Sequence, residues 1–246
     1  GALLAAFNWH AIFVALTTLG LGFLVLSHLT LTETLPPERR RPLHPRELVR
    51  GYATFIRTPG TLLPMAIGCA SFSGQFAYIS DSPFVLLEGY KVSERAFGIY
   101  FGSTAFALML GSILGGRMIR AGRSPDVMIV SGGVLLAISG VAVAITTHLG
   151  LGIPGFLPPM IVYFFGTGMT GPSATALALA PVAHIAGTAS AAIGFSMMMC
   201  GAIAGYLTTK IGGSSPQLFS LVVMVMGLLA FGLTLAVAAR HVRQQR

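Results

Sequence analysis

Charge is scarce in this 246-residue sequence: Asp, Glu, Lys and Arg together make up 9% of it, against about a quarter in soluble domains. Seven residues are acidic, and none of them follows Asp126. Hydrophobic residues make up 54%. This composition excludes an ordinary water-soluble domain, because too few polar side chains remain to cover its surface. Lipid is therefore expected to solvate most of the protein.

Cysteine and catalytic motifs are scarce too. Cys69 and Cys200 both lie in apolar segments, where a thiol behaves as a small hydrophobic side chain. No CxxC spacing predicts zinc, no cysteine framework predicts disulfides, and the six His residues are not spaced as metal ligands. The sequence also lacks HExxH, a phosphate-binding P-loop and a complete GxSxG. We therefore predict no metal, no cofactor and no enzymatic activity.

Long apolar runs, by contrast, are abundant. Seven of them are each long enough to cross roughly 30 Å of hydrocarbon as a helix. They predict an all-α integral membrane protein with seven transmembrane helices. The predicted spans are 9–31, 61–87, 97–116, 126–147, 155–180, 183–209 and 217–239.

The basic residues give these spans an orientation. Twelve of the fifteen Lys and Arg residues lie in gaps that share one side of the bilayer. Because basic loops face the cytoplasm, we predict a multi-pass protein of the bacterial inner membrane, with residues 34–60 and the C-terminus inside. The same rule explains a pI near 10.2 without a nucleic-acid partner. The twelve residues are Arg39, Arg40, Arg41, Arg46, Arg50, Arg57, Arg117, Arg120, Arg123, Arg240, Arg243 and Arg246.

The longest connection, residues 34–60, divides the chain into segments 1–33, 34–60 and 61–246. Its second part, residues 46–57, predicts a short amphipathic helix on the cytoplasmic membrane surface. A solvated charged loop is an equally good interpretation. The apolar face of the predicted helix carries Leu48, Tyr52, Phe55 and Ile56.

Glycines recur within the spans at a spacing of four residues. Such pairs let helix backbones approach closely, which matters in lipid because no hydrophobic drive brings helices together. We therefore predict tight packing inside the protein at these positions, with a dimer face as the alternative. The pairs are Gly98 and Gly102, Gly111 and Gly115, and Gly201 and Gly205.

Residues 166–171 spell GxGxxG, a dinucleotide-binding fingerprint. A dinucleotide fold would need an acidic residue about 20 positions further on, and no acid occurs there. Pro172 follows at once and removes a backbone hydrogen bond. We therefore predict a weakened point in a membrane helix, of the kind that marks substrate sites in transporters.

Asp81 is the one acid that lies well inside an apolar run. A charge at the bilayer centre costs about 2.5–3.5 kcal/mol on insertion scales, so the side chain should face a cavity or a partner. Apolar surroundings favour the protonated acid, which makes Asp81 a candidate proton carrier. Its position toward the outer end of the span leaves open a simpler role, in which water reaches it from a periplasmic vestibule.

Polar residues form stripes on two of the predicted helices. Stripes of this kind serve either interhelical hydrogen bonding or the lining of a cavity, and adaptable Met side chains nearby suit a cavity for assorted amphipathic ligands. Both interpretations stay open. The candidates for cavity lining are Gln75, Tyr78, Asp81, Tyr163, Thr167, Thr170, Pro172 and Met198.

Several segments resemble the bicyclomycin-resistance (Bcr/CflA) drug-efflux group of the major facilitator superfamily. The resemblance extends over essentially the whole chain. At position 81 a small residue would be expected in that group, so the role of Asp81 is not carried over from it. The segments are 35–42 (LPPERRRP), 78–86 (YISDSPFVL), 97–98 (FG), 171–178 (GPSATALA) and 186–191 (AGTASA).

The resemblance implies a twelve-helix transporter of which this chain is a fragment. The first span would be its sixth helix, and the other six would form its C-terminal half. It implies export of drugs or related small molecules against protons, by rocking of two halves around a central site, and it makes an N-terminal half the missing partner. Arg117, Arg120 and Arg123 would belong to a cytoplasmic gating loop. A metabolite exporter of the same superfamily, and a seven-helix receptor or scaffold, are the alternatives.

Overall fold

The computed structural model describes residues 9–31, 44–212 and 215–244. Within this part of the chain all regular structure is helical. A π-helical turn, Phe84–Gly89, follows α3, and a 3-10 turn, Ala180–Ile185, links α6 to α7. The helices are α1 (Trp9–Thr30), α2 (Pro45–Arg57), α3 (Leu62–Pro83), α4 (Glu94–Arg120), α5 (Pro125–His148), α6 (Gly152–Leu179), α7 (Ala186–Gly212) and α8 (Pro216–Gln244).

Each of the seven predicted spans corresponds to one long helix. Six helical stretches of the described chain are long and apolar enough to cross a membrane. One of them, Gly152–Lys210, is 59 residues long and contains two helices, because α6 continues through the 3-10 turn into α7. The prediction of an all-α membrane fold is confirmed.

The chain divides into two compact units, residues 1–47 and 48–246. The boundary falls inside the predicted connection 34–60. The first unit contains α1, whose mean hydropathy is 2.0. The second contains most of α2 and the six helices α3 to α8.

Helices α3 and α6 hold the second unit together. Helix α3 packs against α6, α7 and α8, while α6 also packs against α4 and α5. Their shared core is rich in aromatic rings. The ring of Tyr78 on α3 packs edge-on against Phe164 on α6, with 5.1 Å between centroids, and stacks on Phe101 of α4 at 5.9 Å.

Two of the three predicted glycine pairs pack against neighbouring helices. A Cβ on Gly111 would collide with the carbonyl oxygen of Phe165, so α4 and α6 touch through their backbones. A Cβ on Gly201 would lie 3.0 Å from the side chains of Phe72 and Phe76 on α3. The third pair differs, because Gly98 and Gly102 have nothing within 4 Å of such a Cβ.

The predicted amphipathic segment is a helix, α2, and one of the four apolar side chains expected to face the membrane packs against protein. Phe55 is fully buried, whereas Leu48, Tyr52 and Ile56 are exposed. Gly51, one turn before Phe55, packs so closely that a Cβ would lie 2.8 Å from Cγ2 of Thr188. The face of α2 that carries Gly51 and Phe55, four residues apart, is therefore in contact with protein.

Phe55 anchors α2 to the turn between α6 and α7. Its ring belongs to a buried cluster with side chains from both helices and from the turn itself. The end of α2 is also fixed, since the buried Thr61 hydroxyl donates to the carbonyl of Phe55 at 2.7 Å and to that of Thr58 at 2.9 Å. The other buried members of this cluster are Ala178, Val182, Ala189, Ala192 and Ile193.

We expect Phe55→Ala to lower the free energy of unfolding by roughly 3–5 kcal/mol, because it leaves a cavity in a closed cluster. The adjacent Ile56→Ala should change it by less than about 1 kcal/mol, because Ile56 is 58% exposed. Unfolding of the purified protein in mixed micelles, titrated with a denaturing detergent, measures both. Equal losses in the two variants would contradict the docking of α2 through Phe55.

Candidate functional site

A cavity of about 620 Å³ lies among helices α3, α4, α6 and α7. Its wall is mostly apolar, with hydroxyl and amide groups at a few points. Of the described residues that line it, none carries a charge. They are Gly68, Ser71, Phe72, Gln75, Leu108, Ser112, Thr167, Gly168, Gly171, Pro172, Thr175, Ala176, Leu179 and Met197.

Three of the residues selected from the sequence come together in this wall. Gln75 reaches it from α3, and Thr167 and Pro172 reach it from α6. Met198 does not belong to the wall, because its side chain is 58% exposed on another face of α7. Its neighbour Met197 lines the cavity instead, as expected when successive helical residues are rotated by about 100°.

Three other candidates lie in the packed interior, outside the cavity wall. Tyr78 and Tyr163 are fully buried, and the Tyr163 ring fits between Gly74 of α3 and Gly227 of α8, where added Cβ atoms would crowd it. Thr170 is also fully buried and donates to the carbonyl of Gly166 at 2.9 Å. These side chains pack in the interior of the helical unit, and their assignment to a substrate cavity stays a prediction.

Asp81 lies beyond the cavity wall, two residues before Pro83 and the π-helical turn that follows it. It is 2% exposed. Its Oδ1 accepts a hydrogen bond from the Thr209 hydroxyl of α7 at 2.8 Å, while its buried Oδ2 has no partner within the described residues. The contact joins α3 to α7, two helices that also line the cavity.

The GxGxxG glycines of α6 contact different neighbours. Gly166 faces α5, where a Cβ would lie 3.1 Å from the carbonyl oxygen of Gly132. Gly168 faces α4, where a Cβ would collide with the carbonyl of Leu108. Gly171 has nothing within 4 Å and opens onto the cavity. The motif thus lets two helices approach α6 from different sides.

At the predicted weakened point, Pro172, helix α6 stays continuous from Gly152 to Leu179. Proline has no N–H, so the carbonyl four residues earlier, that of Gly168, loses its helical donor. The Ser112 hydroxyl of α4 replaces that donor at 3.1 Å. A neighbouring helix thus satisfies the freed carbonyl, as the membrane interior requires.

A second proline in α6 is compensated in the same way. Pro159 deprives the Gly155 carbonyl of its donor, and the Thr146 hydroxyl of α5 donates to that carbonyl at 2.6 Å. Gly155 and Thr146 lie outside the cavity wall. Two prolines of one helix are therefore accommodated by hydroxyls from two neighbours, and one of these two sites faces the cavity.

Ser112, Gly168 and Ser71 were not among the candidates for cavity lining, although Ser71 belongs to the same α3 stripe as Gln75 and Gly168 to the GxGxxG motif. Ser112 follows Gly111 of a glycine pair, and Gly168 stands four residues before Pro172. The i−4 rule for proline could have identified Gly168 as an exposed acceptor. Its donor could not have been identified, because it comes from another helix, 56 residues away in sequence.

The three arginines assigned to a gating loop lie close together in sequence and are all exposed. Arg117 and Arg120 occupy the last turn of α4. Arg123 lies in the short connection to α5, next to Gly122 with its positive φ of +85°. Their gating role stays a prediction.

We expect Gly168→Ala to cost roughly 1–3 kcal/mol in the free energy of unfolding, because its Cβ would force α4 and α6 apart. Gly194→Ala in α7 is the matched control: its Cβ meets open space, and a gain of about 0.5–1 kcal/mol is expected from helix propensity. Detergent-induced unfolding of both variants measures the difference. A stable Gly168→Ala protein would refute the close approach at this glycine.

Comparison with known proteins identifies the class of protein. The sequence profile of the Major Facilitator Superfamily matches residues 1–205. This chain therefore belongs to the major facilitator superfamily and is a multi-pass membrane protein. Membership in a family of transporters gives no support to the alternative of a seven-helix receptor, nor to an enzyme.

Its relatives include proteins named for drug resistance. The uncharacterized MFS-type transporter YdgK of Bacillus subtilis (strain 168) is 32% identical over 242 residues, which cover 92% of this chain and 57% of YdgK. The bicyclomycin resistance protein homolog of Haemophilus influenzae is 28% identical over 237 residues, 94% of this chain and 58% of that protein. A chloramphenicol resistance protein of Pseudomonas aeruginosa is 32% identical over 133 residues, 51% of this chain and 29% of that protein.

These relatives confirm the resemblance to drug-efflux transporters. The chain spans a little over half the length of the first two.

Proposed function

We propose that this chain forms the C-terminal half of a transporter that exports drugs or other small amphipathic molecules across the bacterial inner membrane in exchange for protons. The observation that carries the proposal is the cavity among α3, α4, α6 and α7. Its apolar wall, with a few hydroxyl and amide groups, has the composition of a small-molecule site. Bicyclomycin and chloramphenicol, named for two relatives, are the first compounds to test.

The length of the relatives supports a missing half. The chain covers 57% and 58% of two of them, so a second helical unit is expected to complete the cavity. Alternating access would follow from rocking of the two halves around it. The placement of basic residues puts residues 34–60, the connection between α4 and α5, and the C-terminus on the cytoplasmic side.

Asp81 is the proposed proton site of this half. Its Oδ1 is held by Thr209, and its buried Oδ2 is available to receive a proton. A neutral carboxyl is far cheaper to bury than a carboxylate. Protonation would therefore favour the arrangement in which α3 and α7 bury Asp81. Loss of the proton would favour an arrangement in which water reaches the carboxylate. Because both helices also line the cavity, a proton at Asp81 would be coupled to the shape of the site.

We expect Asp81→Asn in the full-length transporter to bind drug normally but to lose the acceleration of drug flux by a proton gradient. Asparagine keeps the shape and the Thr209 hydrogen bond but releases no proton. Glu88→Gln, at an exposed acid seven residues on, should behave as wild type. Drug flux in proteoliposomes with and without an imposed pH gradient is the measurement.

Two outcomes of that experiment have distinct meanings. Full gradient dependence in Asp81→Asn would remove Asp81 from proton coupling. If the wild-type protein moves neither bicyclomycin nor chloramphenicol, with or without the pH gradient, the proposed export itself is overturned.

A further inference from the structure

We propose that the Ser71 hydroxyl and the proline-freed carbonyl of Gly168 form an uncharged subsite of this cavity, which selects ligands through a neutral group able both to donate and to accept a hydrogen bond. Amides and alcohols are such groups. The inference rests on the proposed function and adds the substrate class: neutral amphiphiles are favoured over organic cations at this half of the site.

The Ser71 hydroxyl is the first part of the argument. It is fully buried, it lines the cavity, and it has no hydrogen-bond partner among the described residues. Serines in helices usually donate to the carbonyl four residues back, as Ser73 does to Cys69 at 2.8 Å. A buried polar group without a partner is costly and calls for an explanation. Rotation of the Ser71 side chain toward the cavity would give its hydroxyl a bound ligand as partner.

The Gly168 carbonyl is the second part. A carbonyl oxygen has two lone pairs, and in an ordinary helix the N–H of residue 172 would take one of them. Pro172 has no N–H, and the Ser112 hydroxyl donates one hydrogen bond to this oxygen. The second lone pair is therefore available on a residue that lines the cavity. The wall thus offers one hydroxyl and one strong neutral acceptor.

The third part of the argument is that the described residues of the cavity wall are uncharged. None of the described lining residues is acidic, and Asp81, the buried acid of this unit, is outside the wall. Moving an ammonium group from water into such surroundings costs far more than moving an amide, unless a carboxylate compensates it. The rest of the wall, including Phe72, Leu108 and Met197, suits an apolar body. The ligand that fits is an uncharged amphiphile.

Equilibrium binding of two matched probes to the purified full-length transporter tests this subsite. The neutral probe is chloramphenicol, which carries an amide and hydroxyls. The cationic probe is its deacylated amine, in which an ammonium replaces the amide. Wild-type protein should bind the amide more tightly than the amine.

Ser71→Ala and Pro172→Ala should each weaken chloramphenicol binding roughly 2- to 12-fold, the range for one hydrogen bond. The first removes the hydroxyl, and the second restores an N–H that occupies the Gly168 carbonyl. Both should change binding of the amine by less than about 2-fold. The matched controls are Ser73→Ala, a bonded serine on the same helix, and Pro159→Ala, the other compensated proline of α6. Neither control should alter binding of either probe.

The proposal is overturned if wild-type protein binds the amine as tightly as the amide. It is equally overturned if Ser71→Ala and Pro172→Ala leave amide binding unchanged, or weaken both probes alike. Flux in proteoliposomes separates this failure from that of the proposed function: export that persists while the subsite test fails leaves the transporter proposal standing. Selective binding without any export would instead uphold the subsite and remove the proposed export.

Discussion

The membrane interior offers no water to a backbone carbonyl, so every proline inside a spanning helix creates an acceptor that some other group must satisfy. Helix α6 contains four prolines, Pro154 in its first turn and Pro158, Pro159 and Pro172 further along, and is nevertheless continuous. The hydroxyls of Ser112 and Thr146 explain this for two of them, since each donates to the carbonyl that a proline has freed. The helix at the centre of the six-helix unit therefore depends on hydrogen bonds from its neighbours.

These hydrogen bonds also determine how closely the neighbouring helices approach α6. A serine can reach the backbone of α6 only if the two helices lie very close together, and Gly111 and Gly168 permit that approach between α4 and α6. Gly166 does the same toward α5. With α6 fixed from these sides, its remaining face, with Thr167, Gly171 and Pro172, opens onto the cavity. Packing and the proposed binding site thus follow from one arrangement of small residues, prolines and hydroxyls.

The spans and the class of protein were predictable from the sequence, because hydropathy over about twenty residues is a property of each segment alone. The rotation of each helix was not, because it is set by contacts with other helices. Gln75 and Tyr78 belong to one stripe on α3, yet only Gln75 reaches the cavity, while Tyr78 packs among aromatic rings. Likewise, Met197 and Met198 are adjacent in the sequence, but only Met197 lines the cavity. The amphipathic pattern of α2 correctly predicted a helix, but the face that contacts protein is set by Gly51 and Phe55.

The central claim is that the Ser112 hydroxyl satisfies the Gly168 carbonyl freed by Pro172. A double-mutant cycle in the free energy of unfolding tests it most directly. Ser112→Ala in the wild-type background should cost about 1–3 kcal/mol, because it leaves a buried carbonyl with one donor fewer. In a Pro172→Ala background the restored N–H takes that carbonyl, so the same Ser112→Ala change should cost close to nothing. An equal cost of Ser112→Ala in the two backgrounds would contradict the account.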